Sequence, residues 1–175
     1  MPFVIERNTT AELSPATFAD VLRLCDAAYA APIAPYLASI GAGRHLLGRV
    51  GGVLVSHLMW VTRWLQPGGS RPLRTAYVEL VATAPTEQRR GYATRLLRAL
   101  PPLIEDYDLA ALSPATDRPY VWLGWRYWRG PLATRKGGHL LPDPDERVMI
   151  RPLPQTPALD MDLPLSVEWR SGEVW

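Results

Sequence analysis

The sequence predicts an α/β fold built on a mixed, mostly antiparallel sheet. Three observations carry this. The β-prone runs 45–50, 53–65 and 73–83 are separated by tight turn signals, the pattern of an antiparallel meander. Apolar residues recur at helical spacing over 18–29 and again over 91–100. A short apolar strand, 110–112, follows the second helix, so a parallel segment is expected near the middle of the sheet.

Each element has a local cause. Phe3 to Arg7 is short and β-prone and is expected as a first strand. Ser14-Pro15 is a helix start, with an N-cap hydroxyl followed by proline at the first helical position. Phe18, Val21, Leu22, Cys25 and Tyr29 then form one apolar stripe. Pro32 and Pro35 are expected to end that helix and open a loop to about Gly43. Gly51-Gly52 joins the first two strands of the meander as a hairpin, and 66–70 (QPGGS) turns into the third, which ends at Ala84-Pro85. Leu96, Leu97 and Leu100 share a face of the second helix, and Pro101-Pro102 must kink or restart it. Asp117 is expected to cap a short helix running to Gly124, and 147–153 to close the sheet.

Composition limits the function. The 175 residues fit one domain, expected over 1–175 with 155–175 as a C-terminal tail. An apolar fraction of 47% supports a real core. Lys and Arg total 19 against 17 Asp and Glu, a net charge of +2, so no nucleic-acid partner is expected. Cys25 is the only cysteine, which excludes an internal disulfide. Met1 to Asn8 lack a signal-peptide pattern, and no apolar run reaches the ~18 to 20 residues that span a bilayer. A cytoplasmic protein with no membrane partner is expected. His45, His57 and His139 show no metal-ligand spacing, so no metal is expected.

The chemistry lies in 76–100. A strand carrying Glu79 runs into the turn Gln88-Arg89-Arg90-Gly91-Tyr92-Ala93, which opens a helix. Backbone N–H groups at a helix start are unpaired and carry the positive end of the dipole, which suits a pyrophosphate. Gly91 and Ala93 keep that backbone accessible, and Arg89 and Arg90 add charge-assisted contacts. This turn resembles the signature of the GNAT superfamily of N-acetyltransferases, Gln/Arg-x-x-Gly-x-Gly/Ala, and matches its three defined positions.

The resemblance implies the GNAT fold, with a splayed central strand pair flanked by helices, and acetyl-CoA as co-substrate. It implies that Val81, Ala82 and Thr83 line the pantetheine arm and that a backbone N–H near Val81 polarises the acetyl carbonyl. Glu79 lies two residues earlier, on the same face of a regular strand, and is the candidate base for the attacking amine. Tyr120, followed by Gly124-Trp125, matches the tyrosine that protonates the departing thiolate in that superfamily. Homodimers are common there, so a homodimer is an expected partner state.

Within the superfamily the chain is most like aminoglycoside 2′-N-acetyltransferases. Glu168-Trp-Arg-Ser-Gly-Glu-Val-Trp175 is similar to their tail, and Tyr77-Val78-Glu79, Ala111-Leu112-Ser113 and Gly43 with His45 also resemble them. The resemblance implies a tail folded back towards the substrate site. It implies substrate contacts by Glu79, Ser113, Asp145, Glu173 and Trp175, with direct transfer in a ternary complex. The stretch 31–37 (APIAPYL) departs from that branch, because it holds no acid. Another small-molecule or peptide amine therefore stays open as the acceptor, as does a non-catalytic acyl-CoA sensor. Ser113 also reads as satisfying the turn at Pro114, and Trp175 as an apolar plug. Cys25, on the apolar stripe, reads as a buried core thiol. The Trp122, Trp125, Tyr127 and Trp128 cluster reads equally as pocket wall or packing.

Overall fold

A computed structural model describes residues 1–175. The strands are β1 (Phe3–Thr9), β2 (Arg44–Val50), β3 (Val53–Pro67), β4 (Leu73–Thr83), β5 (Leu109–Leu112), β6 (Arg126–Tyr127), β7 (Leu132–Lys136), β8 (His139–Pro142), β9 (Met149–Pro152) and β10 (Leu165–Glu168). The helices are α1 (Pro15–Tyr29), α2 (Ala34–Ile40) and α3 (Tyr92–Ala99), with 3-10 turns at Thr10–Glu12, Pro85–Glu87, Pro101–Leu103 and Val121–Leu123. No helix is long and apolar enough to cross a membrane. The chain forms two compact units. Unit 1 holds 1–61 and 78–100; unit 2 holds 62–77 and 101–175.

In unit 1, β1, β2 and the first part of β3 form an antiparallel meander. Gly51 and Gly52 both sit at positive φ, as a tight hairpin turn requires. α1 begins as the sequence predicts: Ser14 Oγ accepts from the Thr17 N–H. It buries Val21, Leu24 and Cys25, so Leu24 joins the expected stripe while Tyr29 is exposed.

The expected loop after α1 is instead the helix α2. Pro35 falls in its first turn, where a missing N–H costs nothing, so the proline that reads as a breaker is a helix starter. Leu37 and Ile40 are its buried face.

Unit 2, which holds only the 62–67 end of β3 and the 73–77 end of β4, carries the strand order β6-β9-β5-β4-β3-β10-β7-β8. β5 runs parallel to β4, but their pairing covers only Thr75 to Tyr77 against Leu109 to Ala111. The ladder thus stops before Glu79, and this is the expected splay. A second parallel pair joins β10 to β7, while β10 with β3, β5 with β9, β6 with β9 and β7 with β8 pair antiparallel. Part of the expected tail is thus strand β10, set between β3 and β7.

Candidate active site

The informative part of unit 1 is the last half of β4. Glu79 is only 6% exposed. Its Oε2 accepts a hydrogen bond from the Tyr36 hydroxyl at 2.6 Å, a length typical of a hydroxyl donating to a carboxylate. α2 delivers Tyr36. Tyr36 carries no local signal in the sequence, because 31–37 reads as an acid-free loop rather than as a helix facing Glu79.

The next residue, Leu80, has φ +50, a left-handed conformation that breaks the strand. The regular alternation expected from Glu79 to Val81 is therefore interrupted. Beyond it three successive carbonyls accept side-chain donors: Leu80 from His57 Nδ1 at 3.0 Å, Val81 from the Tyr29 hydroxyl at 3.2 Å, and Ala82 from the Ser56 hydroxyl at 2.9 Å. Thr83 adds a contact to Ser56 through its hydroxyl at 3.0 Å. The backbone of 80–82 is held by α1 and β3 side chains in a conformation that a plain ladder would not give.

The turn after β4 has the geometry an anion needs. Arg89 (φ +64) and Gly91 (φ +79) are both left-handed. A Cβ built on Gly91 meets nothing within 4 Å, so the space before the helix is open. Gly91 caps α3 with no side-chain hydrogen bond, leaving the first-turn amides to a ligand. Arg89 is exposed, while Arg90 pairs with Glu87 at 3.1 Å. The Gln88 amide reaches the Thr83 carbonyl at 3.4 Å. Tyr92 stacks on Phe3 at 4.8 Å, and the Arg95 guanidinium lies 4.4 Å from the centre of the same Phe3 ring, which pins the start of α3 to β1. These residues fit a CoA pyrophosphate.

Unit 2 carries the other predicted residues. Tyr120 is buried, edge-on to Trp125 at 6.2 Å, and burial pushes its phenol up to about 12. Ser113 donates to the Arg147 carbonyl at 3.1 Å. Trp175 is buried, and its indole N–H donates to Asp143 Oδ2 at 2.8 Å. The loop 141–147 turns Asp143 and Glu146 inward and leaves Asp145 exposed. Burial, then the charges of Glu173 and Asp143, raise the Glu146 carboxyl above its ordinary range. Glu173 itself is exposed. The aromatic cluster divides: Trp125 and Trp128 pack in the core, while Trp122 stands out under Arg118 at 5.0 Å. No group of three or more His, Cys, Asp or Glu side chains is placed to hold a metal ion.

Comparison with known proteins agrees with this geometry. Residues 10–128 match the model of the acetyltransferase (GNAT) domain. The chain belongs to the GNAT acetyltransferase family. This is the acetyl-CoA-dependent class that the turn before α3 implies. Over 131 residues the chain is 32% identical to the aminoglycoside 2′-N-acetyltransferase of Mycolicibacterium fortuitum, covering 71% of this chain and 67% of that one. The GNAT protein YhbS of Escherichia coli, solved with CoA, superposes with a TM-score of 0.66 at 12% identity, over 95% of this chain and 89% of that one. A Brucella melitensis GNAT acetyltransferase solved with acetyl-CoA gives 0.59 at 13%, over 97% of both. Eis1 of Mycobacterium abscessus gives 0.59 at 24%, over 73% of this chain but only 32% of Eis1, so this GNAT chain spans about a third of that protein.

Proposed function

We propose that this GNAT chain transfers the acetyl group of acetyl-CoA to a primary amine of a small molecule, by direct transfer in a ternary complex, with the 2′-amine of an aminoglycoside as the leading acceptor. The observation that carries the reading is the buried Glu79 carboxylate, held by Tyr36 beside the break at Leu80, on the strand that feeds the turn 88–93.

Acetyl-CoA supplies the thioester carbonyl and the thiolate that leaves. The turn 88–93 binds the pyrophosphate, and Val81, Ala82 and Thr83 line the pantetheine arm. Glu79, directly or through a water, takes the proton that the amine must lose before it attacks. The Val81 N–H donates to the thioester oxygen as charge builds there. Tyr120 gives its proton to the departing sulfur. At about 12 its phenol is fully protonated at neutral pH, so the donor form is always present.

The sequence identity to the M. fortuitum enzyme supports an aminoglycoside acceptor. So does the acidic set Asp143, Glu146 and Glu173, where burial first, and then the two neighbouring charges, raise the Glu146 carboxyl. Such a set suits several ammonium groups. Ser113, Glu173, Trp175 and the exposed Asp145 complete the proposed substrate contacts. A second reading has its own observation. The acid-free stretch 31–37 brings a tyrosine, not a carboxylate, to Glu79, which favours a less cationic or more aromatic amine. A homodimer in the cytoplasm belongs to the same proposal, and light scattering reads the dimer.

The test is thiol release from acetyl-CoA across an amine panel. The panel holds aminoglycosides with a 2′-amine, matched ones with a 2′-hydroxyl, polyamines and aromatic amines. Turnover confined to the 2′-amines is the expected result. Turnover with other amines replaces the acceptor and keeps the chemistry. Acetyl-CoA binding without turnover on any of them overturns the catalytic reading in favour of an acyl-CoA sensor.

A further inference from the structure

Unit 1 contains a buried line of hydrogen bonds that the roles above leave unused. His45 and His57 are both 0% exposed. They share a face of the β2–β3 hairpin, where His45 pairs with Met59 and Leu47 with His57. Thr10 Oγ1 lies 2.9 Å from His45 Nε2, His45 Nδ1 3.0 Å from His57 Nε2, and His57 Nδ1 3.0 Å from the Leu80 carbonyl oxygen.

Chemistry fixes the direction of this line. A carbonyl oxygen only accepts, so His57 Nδ1 carries the proton and donates. His57 Nε2 is then an acceptor, which makes His45 Nδ1 a donor and His45 Nε2 an acceptor for the Thr10 hydroxyl. Thr10 in turn accepts from the Gly43 N–H at 2.9 Å. One pair of tautomers satisfies the three contacts of the line, with the single Thr10 hydroxyl proton directed to His45 Nε2 at 2.9 Å rather than to the Gly43 carbonyl at 3.2 Å. Both rings must be neutral for this, and burial pushes His45 down to about 4 and His57 to about 3. The outer end is anchored, because Gly43 approaches β3 so closely that a Cβ there would lie 2.6 Å from the Trp60 carbonyl oxygen.

The inner end holds the break in β4. The Leu80–Val81 peptide is planar and trans, so its C=O and N–H point in opposite directions. A grip on the Leu80 carbonyl therefore aims the Val81 N–H away from His57. We infer that His57, held by His45 and Thr10, is a positioning residue that orients the Val81 N–H onto the thioester carbonyl oxygen. This rests on the acetyl-transfer reading above. No proton travels along the line, since reversing it would place a proton on the Leu80 carbonyl. Cys25 Sγ lies 3.8 Å from His57 Nδ1, but burial, with the nearby Asp26 charge, pushes its thiol up to about 12. It stays protonated, and the His57 nitrogen facing it already bears a proton, so the pair is not an activated nucleophile.

Infrared difference spectroscopy of carbonyl-¹³C acetyl-CoA bound to the full chain tests this without an acceptor amine. In the wild type the thioester C=O band lies at lower wavenumber than in free acetyl-CoA. His57→Leu loses most of that shift while binding acetyl-CoA within about threefold of wild type. His57→Asn, whose amide N–H stands where Nδ1 stands, keeps the shift. If His57→Leu does not fold, Thr10→Val at the half-buried outer end takes its place, with a smaller loss expected. A wild-type band position in His57→Leu, or in Thr10→Val where it substitutes, overturns the inference. So does an Asn variant that loses the shift as Leu does, or a wild type that binds acetyl-CoA without any shift. A wild type that does not bind acetyl-CoA overturns the acetyl-transfer reading itself.

Discussion

Unit 1 buries His45 and His57 completely and keeps them uncharged, whereas unit 2 buries Arg63 to 4% exposure against a carboxylate and two carbonyls. The histidines touch a hydroxyl, each other and a carbonyl. Arg63 donates to Glu168 Oε1 at 2.6 Å, to the Glu168 carbonyl at 2.7 Å and to the Val174 carbonyl at 2.7 Å, with its guanidinium 5.7 Å from the Tyr77 ring centre. A neutral line fixes one backbone direction with little desolvation cost. A guanidinium has five donors and gathers several backbone segments at once, here the stretch from Glu168 to Val174. The first arrangement is vulnerable to protons, the second to loss of a partner.

Acid should separate the two most strongly. In the unfolded chain a histidine titrates near ~6.5, while in the fold burial holds His45 at about 4 and His57 at about 3. Below about 6.5 the unfolded state binds protons that the folded state refuses. Stability is therefore complete above that pH and falls as the pH drops, until the folded histidines themselves titrate. From pH 7 to pH 5 the loss is roughly 4 kcal/mol for the two rings together. Urea midpoints at the two pH values measure it, and the double variant His45→Gln, His57→Asn should flatten the dependence.

Next in size is Arg63→Ala, which removes three hydrogen bonds from a buried site. We expect a loss of about 3 kcal/mol and a melting point lower by about 9 °C. Glu168→Gln should cost less, about 1 kcal/mol, because Glu168 is partly exposed and its backbone carbonyl still accepts from Arg63.

The smallest effect is at Tyr36. Tyr36→Phe removes the O–H donor to Glu79, and kcat/KM should fall about fivefold, near 1 kcal/mol, with the melting point little changed. An unchanged kcat/KM would make Tyr36 a packing residue of α2.

Much of this molecule was legible in the sequence where a signal was local. Ser14-Pro15, Gly51-Gly52 and the turn 88–93 each specify their geometry within a few residues, and the structure places a helix cap, a hairpin and an open helix N-terminus there. Failures came where meaning depends on a distant partner. Pro35 reads as a breaker until α2 shows it in the first turn. His45 and His57 look scattered along the chain, and the Gly51-Gly52 turn alone would set them on opposite faces of the hairpin; the one-residue register shift at Gly48/Arg49, which has no sequence signal, brings them to the same face. The left-handed Leu80 had no signal, because Leu carries no preference for that conformation and the side chains that hold it come from elsewhere in unit 1. Strands β6, β7, β8 and β10 are two to five residues long and fall in Pro-rich sequence, too short for periodicity to show.

The most direct test of acetyl transfer through Glu79 and Tyr120 is the rate of thiol release from acetyl-CoA, with the amine that turns over, in the wild type, Glu79→Gln and Tyr120→Phe. We predict that kcat/KM falls by about 10²-fold or more in each variant while both stay folded. Both variants within about threefold of wild type, under ~0.7 kcal/mol of barrier, would contradict it.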